Sequence, residues 1–206
     1  MNENVVNNLT YGLFVLTTTD GEKANGCIVN TVEQVAFPPS RISVAVNKNN
    51  YTAELIAKSK KFTASVLSEK AKLETFARFG FQSGRDADKF AGFSAHATAS
   101  NGCEYITAEA GANAYLCGDV IEIIDLGTHY LFIATLTDGE ILSDAPSCTY
   151  AYYQDNIKPK PEAAAQGKTV WVCSVCGYEH EGEELPDDFT CPVCKHPASD
   201  FEKVVK

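Results

Sequence analysis

Several things are scarce in this chain, and each scarcity narrows what it does. No apolar run approaches the about 20 residues that a bilayer-spanning helix needs, so no membrane span is expected. Positive charge is sparse: 17 Lys and Arg stand against 27 Asp and Glu, for a net charge of −10. Neutralising phosphates requires clustered cations, so nucleic acid is not an expected partner. The opening Met1-Asn2-Glu3-Asn4 carries neither the basic start nor the apolar stretch of a secretory leader, which makes a cytoplasmic location the expectation. No Gly-x-Gly-x-x-Gly follows a strand pattern and no Walker loop is present, so a Rossmann dinucleotide unit is excluded. No catalytic triad, carboxylate pair or activated nucleophile stands out.

Cysteine, by contrast, is plentiful, with eight in 206 residues. Four are grouped as Cys173-x-x-Cys176 and Cys191-x-x-Cys194, with 14 residues between the pairs. Two such turns facing each other form a tetrahedral sulfur cage, which suits iron or zinc. Disulfide pairing is the alternative, and the lack of a secretory leader argues against it. The remaining four, Cys27, Cys103, Cys117 and Cys148, stand alone among apolar residues and are expected to pack as small hydrophobes.

Around the cysteine pairs run Trp171-Val172-Cys173-Ser174-Val175-Cys176-Gly177-Tyr178 and Leu185-Pro186-Asp187-Asp188-Phe189-Thr190-Cys191-Pro192-Val193-Cys194, then Ser199-Asp200-Phe201-Glu202. This region, residues 169–206, resembles rubredoxin, the one-iron electron carrier. The resemblance implies one iron held by Cys173, Cys176, Cys191 and Cys194. Two departures are visible: the loop between the pairs is short, as in rubredoxin-like modules fused to larger proteins, and Lys195 stands where the family usually has glycine. So small a segment buries little core, so the metal with Trp171, Tyr178, Phe189 and Phe201 must supply most of its stability.

Before this module, residues 156–168 lack apolar periodicity and contain Pro159 and Pro161, which reads as a linker able to reach tens of ångströms when extended. Residues 168–206 hold 4 Lys against 8 Asp or Glu, so the small module is the more acidic part per residue. Its run Glu179, Glu181, Glu183, Glu184, Asp187 and Asp188 is either a solvated face or a surface that steers a basic partner.

Residues 1–155 read as mainly β. Short stretches rich in Val, Ile, Thr and aromatics span 9–18, 24–35, 42–46, 62–67, 115–124 and 130–136. Asp20-Gly21 signals a hairpin, and Asp138-Gly139 signals a turn into 140–142. Helical patterns are confined to 52–58 and 73–79, and the balance predicts an antiparallel barrel. The run Val46-Asn47-Lys48-Asn49-Asn50-Tyr51-Thr52 takes a strand straight into a helix start. It is either a phosphate site, with Lys48 supplying charge and Thr52 a hydroxyl, or a simple helix cap.

Residues 9–155 resemble the flavin reductase family with its FMN-binding split barrel. The resemblance rests on Asn25-Gly26-Cys27-Ile28-Val29-Asn30-Thr31, the 47–52 stretch, Ser83-Gly84-Arg85-Asp86-Ala87-Asp88-Lys89-Phe90, Gly127-Thr128-His129-Tyr130-Leu131-Phe132 and Tyr150-Ala151-Tyr152-Tyr153. It implies that Asn25, Gly26, Cys27 and Ile28 lie along the isoalloxazine of FMN, with Asn30 and Thr31 near its pyrimidine or ribityl side. Asn47, Lys48, Asn49 and Thr52 would hold the ribityl chain and phosphate, and Ser83, Gly84 and Lys89 would complete the pocket. His129 would position the nicotinamide of NADH or NADPH against the flavin. A homodimer is also implied.

A flavin takes a hydride as two electrons, whereas one iron cycles by one, so the fused pair implies an electron converter. The combination resembles the high-molecular-weight rubredoxin type, which passes electrons to a flavodiiron oxygen or nitric oxide reductase. The alternatives are a reductase that releases reduced flavin and a zinc-ribbon interaction module on a flavin-storing barrel.

Overall fold

The computed structural model describes residues 2–159, 169–193 and 196–205. Most of the linker expectation, residues 160–168, lies outside them, as do Cys194 and Lys195.

The large unit is built from β1 (Phe14–Thr19), β2 (Ala24–Val29), β3 (Glu33–Ala36), β4 (Arg41–Asn47), α1 (Tyr51–Ser59), β5 (Lys61–Leu67), α2 (Leu73–Gly80), β6 (His96–Thr98), β7 (Glu104–Ile106), β8 (Ala112–Asp125) and β9 (His129–Ile141). Seven of the strands form an antiparallel sheet in the order β2-β1-β5-β8-β9-β4-β3. β2 and β3 occupy opposite ends of that order, yet only residues 30–32 join them. So short a connection reaches about 14 Å at most. The sheet must therefore curl until its ends approach, which is the expected barrel. Thr31 sits on the connection, its hydroxyl donating to the Ala45 carbonyl at 2.8 Å and accepting from the Ala45 N–H at 3.2 Å.

Curling buries both faces of the central strands. On β1, Leu16 points into the barrel with Val44, Val46, Phe62, Ala64, Phe132 and Ala134. Its neighbour Val15 points outward into a second cluster with Leu13, Leu67, Phe76, Phe79, Ile106 and Tyr153. Such side chains contribute about 1.5–3 kcal/mol each when fully buried. Along α2, Phe76 and Phe79 share one face, and that face closes the outer layer.

Three sequence expectations need correction. The 24–35 stretch is two strands, because the chain must cross the barrel seam at residues 30–32. Leu9 is exposed and regular pairing begins only at Phe14. Asp138-Gly139 is not a turn: β9 runs through it, pairing Asp138 with Cys117 and Gly139 with Leu116. A Cβ on Gly139 would lie 2.7 Å from the Tyr115 carbonyl oxygen, so this glycine serves close strand approach. Asp20-Gly21 does turn β1 into β2, with the Asp20 carboxylate accepting from the N–H groups of Glu22 and Lys23.

After β9 the chain forms α3 (Tyr150–Tyr152), which opens into a π-helical turn at Tyr153–Ile157. Tyr153 is buried against Phe76, ring centroids 4.5 Å apart, and Ile157 packs on the same cluster. The small unit is a three-stranded sheet of β10 (Thr169–Cys173), β11 (Glu179–Glu181) and β12 (Phe201–Val205), in the order β11-β10-β12. Its core is Cys173, Cys191 and Phe201, surrounded by Trp171, Val175, Cys176, Tyr178, Leu185 and Phe189. No helix among the described residues is long and apolar enough to cross a membrane.

Candidate flavin pocket and metal centre

A cavity of about 400 Å³ opens where β2, the start of α1, the end of α2, the 81–89 loop and α3 meet. That is within the usual range for a cofactor pocket. Asn25, Cys27, Ile28, Asn47, Asn49, Thr52, Ser83, Gly84 and Lys89, all expected from the sequence, line it together. Gly26, Asn30, Thr31, Lys48 and His129 are not in its lining. Gly26 lies on β2 between two lining residues, and its carbonyl accepts from the Lys89 amine at 2.8 Å. His129 begins β9 opposite Asn47 and bonds the Thr128 hydroxyl at 2.9 Å. Lys48 forms an ion pair with Asp125 and lies over the Tyr130 ring.

Two features fit a flavin mononucleotide. Asn25 is 1% exposed; its amide nitrogen donates to the Thr52 hydroxyl at 2.9 Å, while its Oδ1 has no partner. An unsatisfied buried acceptor costs about 1–3 kcal/mol, so a ligand donor is wanted here. The N-terminus of α1 is the second feature. Asn50 caps it in extended conformation without a side-chain hydrogen bond, leaving the positive end of the helix to the cavity that Asn50, Tyr51 and Thr52 line. Arg85 stands at the same end, paired with Glu54 at 2.8 Å and lying over the Tyr51 ring. The sequence reading missed Arg85 as the cation at this end, although it sits inside the quoted 83–90 motif.

The loop reaches Asn25 because residue 84 is glycine: an added Cβ would fall 1.9 Å from Asn25 Oδ1. Lys89, 3% exposed, ties the loop down through its amine, which donates to the carbonyls of Gly26 and Phe79 at 2.8 Å each. Burial lowers its pKa to about 8. Burial likewise raises the Cys27 thiol, against weaker opposing effects from Thr52 and Lys89, so Cys27 is a neutral packing residue, as are the buried Cys103, Cys117 and Cys148. Phe76, Phe79 and Leu13 supply the apolar wall. They were legible only as core, because their place beside a cavity depends on how α2 packs.

In the small unit, Cys173, Cys176 and Cys191 bring their sulfurs within 4.8 Å of one another, and Cys176 and Cys191 stand 3.5 Å apart. Tetrahedral metal–sulfur bonds of about 2.3 Å imply sulfurs about 3.8 Å apart, so the three described thiols fit one metal. The turn is set by the Gly177 N–H donating to the Cys173 carbonyl at 2.9 Å, with Gly177 at φ +77°. Cys191 is fixed by its N–H donating to the His196 carbonyl at 2.8 Å.

One feature was not foreseen. The cavity is also lined by Val175, His196 and Pro197 of the small unit, and by Tyr150 of α3 and Tyr153 of the π-helical turn. His196 had no context in the sequence; only tertiary packing brings it there.

The chain matches the flavin reductase like domain over residues 6–161 and the rubrerythrin, rubredoxin-like domain over residues 171–202. It belongs to the flavin reductase like family, with a rubredoxin-like domain fused at its C-terminal side. It is 32% identical to the high molecular weight rubredoxin of Moorella thermoacetica, across 99% of this chain and 100% of that protein. It is 34% identical to an NAD(P)H ferric-chelate reductase of Archaeoglobus fulgidus, across 76% of this chain and 91% of that one. An NADH:FAD oxidoreductase of Streptomyces globisporus shares the fold, with a TM-score of 0.62 at 20% identity over 71% of this chain and 84% of its own. Flavoredoxin of Methanosarcina acetivorans does so at 0.60 and 23%, over 68% and 73%. The chain is an oxidoreductase that joins a flavin site to a cysteine-held iron site.

Proposed function

We propose that the barrel holds FMN in the 400 Å³ cavity, takes a hydride from NADH or NADPH, and delivers electrons singly to the iron of the small module and then to an external acceptor. The observation that carries this reading is the shared cavity wall: Val175, next to Cys176, and Pro197 face the space that Asn25, Cys27 and Lys89 line. Each hydride brings two electrons and the iron passes one at a time, so two reduced acceptors leave for each nicotinamide oxidised. Bound FMN supplies the hydride-accepting chemistry. The chain's own residues position it: the α1 N-terminus, Thr52, Ser83 and Arg85 at the phosphate, Asn25 Oδ1 at a flavin donor, and Phe79 with Leu13 as the apolar wall. Asn30, Thr31, Lys48 and His129 belong in this scheme to the rim.

The acceptor we infer is a flavodiiron protein. Glu179, Glu181, Glu183, Glu184, Asp187 and Asp188 are all exposed, which suits a basic docking surface. A diflavin flavoprotein of Synechocystis carries a region 27% identical to 68% of this chain within about a quarter of its own length. We also infer a homodimer, since Phe37, Ile121, Ile124 and Leu126 are exposed apolar side chains on the barrel; sedimentation at monomer mass would refute it.

The deciding measurement is the visible spectrum of anaerobically purified protein with metal and flavin quantified, before and after NADH. An iron–thiolate band over a flavin spectrum, both bleaching, is the expected result. Zinc in place of iron, or an iron band that persists while flavin bleaches, would replace this reading with the scaffold or the free-flavin reductase.

A further inference from the structure

Beyond the lining residues Val175, His196 and Pro197, one side chain at the end of the barrel unit bonds the small unit. Lys158 follows the π-helical turn, its own N–H donating to the Tyr153 carbonyl at 2.8 Å, and neighbouring Ile157 is packed on the barrel. Its amine donates to the backbone carbonyl of Ser174, which lies between Cys173 and Cys176. Ser174 is itself fixed within the small unit, its N–H donating to the Asp200 carbonyl at 2.7 Å. Tyr153, buried beneath, borders the cavity beside Val175 of the small unit. Lys158 is partly buried, and that burial lowers its pKa against weaker attraction from Cys173, Glu202 and Cys176, so its bond to Ser174 is poorly screened.

We propose that Lys158 is a positioning residue: it latches the Cys173–Cys176 turn over the flavin cavity of the same chain, and this docked arrangement is the state in which the iron is reduced. The inference deepens the proposed function and rests on it for the electron's direction. Two consequences follow. The latch places a fixed positive charge beside a sulfur cage that becomes more negative on reduction, so it favours the reduced iron. Val175, His196 and Pro197 also narrow the way in for a nicotinamide, so docking and hydride delivery compete for the same opening.

The test uses the full chain loaded with FMN and iron, comparing the parent, Lys158→Ala and Lys158→Arg. Hydrogen exchange reads docking without any turnover, at 150–158 and 170–178. In Lys158→Ala, loss of a charge-assisted hydrogen bond should raise exchange in both segments about tenfold. The iron midpoint potential should move negative and iron reduction after an NADH pulse should slow, while flavin reduction is not slowed. Lys158→Arg should recover most of the loss. Unchanged exchange in Lys158→Ala, or iron reduction whose rate constant rises with protein concentration, overturns the proposal. A parent whose flavin NADH does not bleach would refute the proposed function instead, and the exchange comparison would still decide the docking.

Discussion

The barrel and the small module solve the problem of stability in opposite ways. The barrel has two apolar clusters on the two faces of one curled sheet, with Leu16, Val44, Phe62 and Phe132 in one and Val15, Leu67, Phe76 and Ile106 in the other, all at 2% exposure or less. Among its described residues the small module has one cluster, built on Cys173, Cys191 and Phe201, and the two residues with no exposed surface are Cys173 and Cys191. The barrel therefore folds around hydrocarbon and accepts its cofactor at the edge of a finished core, whereas the module's metal site is its core. A cofactor at the edge can be lost without unfolding; one at the centre cannot.

The largest expected effect breaks the module alone. Cys176→Ala should abolish iron binding and remove the ordered structure of 169–205, while flavin reduction by NADH and the melting of the barrel stay near parental values. Metal analysis and exchange of the two regions check this, and joint loss of both activities would show that the halves do not stand separately. The mirror experiment is Phe62→Ala, which empties a fully buried ring in the barrel and should cost about 3–5 kcal/mol. Denaturation followed at barrel and iron signals should then separate into two transitions; a single shifted transition would mean that the module depends on the barrel.

A smaller change tests the edge position of the flavin. Gly84→Ala drives a methyl into Asn25 Oδ1 and should weaken FMN binding roughly tenfold, about 1.4 kcal/mol, with little change in barrel melting. Titration of the apo-flavin protein reads it, and unchanged affinity would remove the 83–85 loop from the site. The smallest effect is in pH. Burial holds Lys89 at about 8, below its ordinary 10.5, so between those values the unfolded chain keeps a proton that the barrel has released. Lys89's own contribution to barrel stability should rise with pH across that window, by at most about 1.4 kcal/mol per unit, and level off above it, against the opposite contribution of the buried Cys27, Cys103, Cys117, Cys148 and Tyr153, whose pKa values burial raises. Lys89→Met should lack this rise, and parallel curves for the two proteins would contradict it.

How much of this was legible beforehand follows from the range of the interactions involved. The cysteine spacing, the Cys-Gly-Tyr step and the strand-to-helix run at 46–52 are local, and the features they point to are local: Gly177 in its turn, an α1 N-terminus capped by Asn50 without a side-chain hydrogen bond, Thr52 at the cavity. Asp138-Gly139 misled because a turn dipeptide is a weak preference, and pairing with β8 along eleven registered positions outweighs it. The Lys48 reading was chemically sound, but Asp125 lies 77 residues away along the chain and within reach of its amine, and no local pattern reveals that.

The sequence by itself determined the two units and the cysteine cluster, because metal ligation and strand patterning act within a few residues, and the family resemblance named nine residues that meet at the cavity. Tertiary structure decided which cation faces the α1 N-terminus, why residue 84 is glycine, and that Val175, His196 and Pro197 share a wall with Asn25 and Lys89. Those facts depend on the curl that brings β2 to β3 and on the turn at Lys158. They are contacts between distant segments, and only packing selects among the many that a chain of this composition permits.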